Sequence, residues 1–175
     1  MIRPILFCFF LFCLLLTVPA QRKPALTRLK DAKIKLSYRG RTAVVDLENT
    51  ADVTLGSDRW HRYKLYFTAV QNDKVYFLFE EHGGSPMGNP MGYCGGDVPY
   101  TLVWLKTDLK LTVEAARSEI FASCAYNGGR YPIGRPKIRG GDFRIVFEEQ
   151  KVRYQLVYNN LSPELSFTLK PLILD

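Results

Sequence analysis

The chain has 175 residues, of which 47% are hydrophobic and 23% charged, and a formal net charge of +7. That balance excludes a disordered polyelectrolyte, and the length suits one domain with a real core. With only two histidines and four cysteines, the chain has little material for a metal centre.

At the N-terminus, Arg3 precedes an almost wholly apolar run from Ile5 to Thr17, followed by Val18-Pro19-Ala20. This is the three-part layout of a secretory signal peptide, with cleavage predicted before Gln21. An uncleaved membrane anchor is the competing reading, but the apolar run falls short of the roughly 17 to 25 residues that a spanning helix needs. Residues 1–20 are therefore expected to be a signal peptide. Residues 21–31 are expected to form a basic N-terminal arm and residues 32–175 a single β-rich domain, secreted or periplasmic, with no transmembrane segment after cleavage. Cys8 and Cys13 lie inside the apolar run and leave with it.

The charge is concentrated in residues 21–41, which hold eight Lys or Arg and one Asp. Such a segment suggests peripheral contact with an anionic surface through residues 22–41. A solvated basic arm is the plainer alternative.

From Lys33 to Arg39 every second residue is apolar, which predicts a half-buried strand. Gly40 then marks a turn into a second strand from Thr42 to Leu47. The stretches Arg62–Ala69 and Val75–Glu80 flank Gln71-Asn72-Asp73-Lys74 and read as a β-hairpin. Further strands are expected at Tyr100–Leu105, Asp142–Phe147, Val152–Tyr158 and Leu165–Leu169. Residues 109–125 read as two strands joined by a turn, although Glu114-Ala115-Ala116-Arg117 also suits a helical turn. About nine short strands without a long helix indicate an all-β fold, an antiparallel β-sandwich or small β-barrel.

Between Glu81 and Pro99 the strand period stops, and six glycines and three prolines imply a long loop. Cys94 closes that loop and Cys124 lies about 30 residues on. In an oxidising compartment one disulfide between them is the expectation, stabilising by roughly 3–4 kcal/mol in the chain-entropy model. Two buried free thiols are the alternative. A bridge would bring Tyr93 near Tyr126, Arg130 and Tyr131, which are possible binding residues. Arg130, Arg135, Lys137 and Arg139 form a second basic cluster, with no acid between Ala125 and Gly141.

The run Cys94-Gly95-Gly96-Asp97, then Tyr100, Leu102, Val103 and Trp104, then Ser123-Cys124, resembles a pattern in uncharacterised exported bacterial proteins. In these, a Cys-Gly-small-Gly turn and an acidic residue lead into a hydrophobic strand. The resemblance covers residues 92–124 and implies one disulfide, but no activity.

No nucleophile elbow, phosphate-binding loop or dinucleotide fingerprint is present. His61 and His82 do not have metal-ligand spacing, so neither a metal site nor a cofactor is expected. Glu80-Glu81 and Glu148-Glu149 are adjacent on strands, point to opposite faces and are expected to mark strand ends in solvent. Asn160-Leu161-Ser162 is an N-glycosylation triplet in a eukaryotic setting.

Two functional readings follow. The first is an exported, non-catalytic binding or interaction module whose disulfide-tethered loops contact an unknown protein or envelope polymer, with no nucleic-acid role. The alternative is a hydrolase with an unrecognised site assembled from Glu81, His82 and Asp97 near the glycine-rich loop.

Overall fold

A computed structural model describes residues 23–56, 60–84, 98–124, 126 and 129–173. Residues 1–20, expected to be a signal peptide, and Tyr93, Cys94 and Asp97 lie outside the described residues, and so does the expected Cys94–Cys124 bridge. The described residues form twelve strands and one short 3₁₀ turn.

Three antiparallel sheets result. The first contains β1 (Ala25–Arg28), β2 (Lys33–Tyr38) and β3 (Arg41–Asp46). The second runs in chain order through β4 (His61–Gln71), β5 (Lys74–Gly83), β6 (Tyr100–Asp108) and β7 (Val113–Ala122). In the third, β12 (Phe167–Leu172) pairs with β11 (Val152–Asn159), which pairs with β10 (Asp142–Glu149). Both β8 (Arg130–Pro132) and β9 (Lys137–Arg139) pair with β10.

The hairpins are cut by two-residue turns in which both residues have positive φ: Arg39-Gly40, Asn72-Asp73 and Gln150-Lys151. This backbone twist matches the twist of the flanking strands.

The second sheet is the middle layer. Odd-numbered residues of β5 and β6, including Val75, Phe77, Phe79, Val103 and Leu105, pack with Ile34, Leu36 and Val45 of the first sheet. Even-numbered residues, including Tyr76, Leu78, Leu102 and Trp104, pack with Phe143, Ile145, Phe147 and Leu156 of the third. Two cores therefore share one sheet, and Val75–Phe79 is buried on both faces.

The fold is all-β and sandwich-like, and none of the three sheets closes, so the barrel alternative does not hold. Strand number exceeds nine because β1, β8 and β9 are only three or four residues long. Residues 25–28 of the expected arm form edge strand β1, with Leu26 packed against the first core. Glu114 to Arg117 lie inside a single strand, β7, and the turn falls earlier. There Asp108 accepts hydrogen bonds from the amides of Lys110 and Thr112, both at 2.8 Å.

Candidate functional site

The antiparallel order of the second sheet brings four strand ends together. His61 opens β4, Gly83 closes β5, Tyr100 opens β6 and Ala122 closes β7. Register pairs His61 with Gly83, His82 with Tyr100, and Tyr100 with Ala122. The glycine-rich segment leaves this end after Gly84 and returns at Val98-Pro99.

Both stems are seated on tight contacts. A Cβ on Gly84 would approach the Trp60 indole nitrogen to 2.7 Å, and one on Gly56 would approach Pro99 Cβ to 2.5 Å. The Gly56 amide also donates to Thr101 Oγ1 at 3.1 Å. Trp60 is 40% exposed, with the Arg62 guanidinium 5.3 Å from its ring centre.

Buried ionisable groups occupy both faces at this end. Towards the first sheet, His61 Nδ1 and Glu81 Oε1 lie 2.8 Å apart with side chains 2% and 0% exposed. His61 stacks on Tyr63, which meets Phe79 edge-on. Burial pushes the Glu81 carboxyl above the ordinary carboxylate range, and the hydrogen bond and charge of His61 oppose that shift. The Thr101 hydroxyl also lowers Glu81, though among the described residues neither Glu81 Oε2 nor the Tyr63 hydroxyl has a hydrogen bond of normal geometry. Burial, then Glu81, pushes the Tyr63 phenol up.

Towards the third sheet, Tyr66 donates to Glu80 Oε2 at 2.5 Å. Burial, then that hydrogen bond, raises the Tyr66 phenol. His82 Nδ1 lies 3.3 Å from Glu80 Oε1 without making a hydrogen bond, and its ring stacks on Tyr100.

Glu80 and Glu81 therefore do point to opposite faces, but neither marks a strand end in solvent. The middle sheet is covered on both sides, so each face buries one of them. Glu81 and His82 also diverge: Glu81 pairs with His61, whereas His82 faces Glu80. A site drawing Glu81 and His82 together does not form on this strand. His61 is the partner that sequence reasoning missed, because the contact is set by cross-strand register twenty residues away.

Arg130 is likewise turned inward rather than offered as a contact, with 7% of its surface exposed. Its Nη1 donates to Glu119 Oε1 and to the Ile120 carbonyl, and its Nε donates to Glu149 Oε2 at 3.0 Å. The guanidinium lies over Tyr126 (4.6 Å) and Phe147 (5.1 Å). Arg130 thus ties β7 to β10. Tyr131, next along the strand, points the opposite way and is 55% exposed.

Among the described residues, no three His, Cys, Asp or Glu side chains are grouped as metal ligands. The chain matches no protein-family model, no curated protein and no solved structure.

Proposed function

We propose that the chain is exported with loss of residues 1–20 and acts as a non-catalytic binding or interaction module. Its contact surface is the loop-bearing end of the middle sheet, with the glycine-rich segment tied by a Cys94–Cys124 bridge. The observation that supports this reading is the division of labour at that end. His61, Glu80, Glu81 and Arg130 are buried and paired, whereas Trp60 and Tyr131 present large rings to solvent.

Aromatic side chains held on a rigid base give contact area at low conformational cost, and Trp and Tyr are enriched among the residues that dominate interfaces. Tyr126 serves as a platform beneath Arg130, and Tyr93 belongs to the same proposed surface. The partner is a protein or an envelope polymer.

The experiment is capture of partners from the envelope or medium with the mature chain, Trp60→Ala and Tyr131→Ala, each checked for folding by thermal melting. A partner held by the parent and released by both folded variants is the expected result. Undiminished capture by both variants would sink the reading. A hydrolytic activity of the parent that His82→Ala abolishes would assign this end to catalysis instead.

A further inference from the structure

The outward face of the third sheet carries more cations than acids, five against two. Alternation along β10 turns Phe143, Ile145 and Phe147 into the core, so Arg144 faces solvent. Register sets Lys137 of β9 directly opposite Arg144 and Arg139 opposite Asp142. Across β11, Lys170 lies opposite Gln155, which in turn lies opposite Val146. The two acids of this face are already engaged, Asp142 by Arg144 at 3.1 Å and Glu148 by Arg153 at 3.7 Å. Lys137, Arg139 and Lys170 have no acidic partner among the described residues.

Like charges directly opposite each other on a sheet cost stability, and elsewhere this protein avoids that cost. Lys74 and Lys106 share Glu114, and Lys33 faces Asp46. On the third sheet Lys137 faces Arg144, which Asp142 already engages, and Arg139 and Lys170 add further cations that no described acid pairs.

We propose that this face binds a linear polyanion, a polysaccharide bearing sulfate or carboxylate groups, through Lys137, Arg139, Arg144 and Lys170. Neighbouring strands are about 4.8 Å apart and alternate residues along a strand about 6.8 Å apart. The cations are therefore spread over β9, β10 and β12 as an extended array. An array of this kind suits a repeating chain of anions, whereas a single small anion needs donors that converge. A bilayer contact gains from apolar side chains entering the interface. Here the residues between Arg144 and Lys170 are Val146, Gln155, Val157 and Thr168, and the larger exposed side chains, Tyr131 and Ile138, lie singly at the margin formed by β8 and β9. Tyr131, opposite Glu148, borders this face, but none of the four cations belongs to the loop-bearing end, so the two proposals are tested separately.

The test is binding of the mature chain to heparin, as a generic sulfated polysaccharide, over a salt series. Lys137→Gln/Arg139→Gln/Arg144→Gln is expected to bind about tenfold or more weakly and to lower the log–log salt slope by about two. The charge-preserving K137R/R139K/R144K variant keeps binding. A control with Lys30, Lys33 and Lys35 changed to Gln removes as much charge from the β1–β2 turn and strand β2 and also keeps it. Trp60→Ala leaves heparin binding unchanged, which separates this face from the loop-bearing end. Equal weakening by the control triple, no weakening by the face triple, or binding to phosphatidylserine vesicles without binding to heparin each overturns the proposal.

Discussion

At Glu81 two effects oppose one another. Burial raises its carboxyl above the ordinary value near 4.5, and His61 pulls it back. Truncating His61 removes the larger part of the opposing effect, leaving Thr101, and strands a buried carboxylate whose second oxygen has no partner of normal geometry among the described residues. His61→Ala is therefore expected to cost about 3–5 kcal/mol near neutral pH, read by urea unfolding. The pH dependence has a definite sign. A carboxyl raised in the folded state holds a proton that the unfolded chain has released. Its contribution is thus complete below the unfolded value and is lost as pH rises through the folded one. The deficit of His61→Ala should shrink as pH falls through the raised folded value of Glu81, where the carboxyl takes up a proton. A deficit that stays the same size from neutral to acid pH would clear Glu81 of the effect. Replacing both residues, as in His61→Leu/Glu81→Met, should recover much of the loss, since an apolar pair leaves no charge buried.

Among the elements, the stems of the glycine-rich segment are held by close contacts that admit no side chain. At Gly56 the opposing group is the Pro99 ring, which has no flexible end to move aside. Gly56→Ala is expected to destabilise by roughly 1–3 kcal/mol, and to speed amide hydrogen exchange at the start of β6 before other elements respond. Protection at Tyr100–Leu102 equal to that of the parent would show that the stem does not bear on the sheet. The hairpins around these stems were legible in the residues themselves. Gln71-Asn72-Asp73-Lys74 between two alternating runs specified the β4–β5 turn, and Asn72 and Asp73 take the positive φ that such a turn requires. The site was less legible. Period two separates a buried face from a wet one, which holds for β2 and β10 but fails for β5, where both faces are covered. Glu80 and Glu81 therefore looked like solvent residues. Arg130 was misplaced for a related reason: its cluster of cations is contiguous in sequence, yet the pleat sends Arg130 to the core and Tyr131 to solvent. Pairing partners far along the chain, such as His61 for Glu81 or Glu119 and Glu149 for Arg130, leave no local mark.

In the whole molecule, the middle sheet makes each core depend on the other. Phe79 faces the first sheet and Leu78 faces the third, yet they are neighbours on one strand, each with no exposed surface. Truncating Phe79 removes an aromatic side chain from the first core, at a cost of about 3–5 kcal/mol. Leu78→Ala does the same to the second core for about 2–5 kcal/mol. If the layers unfolded independently, each loss would stay on its own side. But β5 and β6 supply the inner wall of both cores, and Arg130 fastens β7 to β10, so neither outer sheet keeps a template once the middle one opens. Phe79→Ala should therefore accelerate global hydrogen exchange in β10 and β11, which Phe79 does not face. The unfolding transition should stay single, with an unchanged denaturant slope. Faster exchange confined to β2 and β3 would mean that the first sheet peels away alone, leaving a two-layer remainder intact.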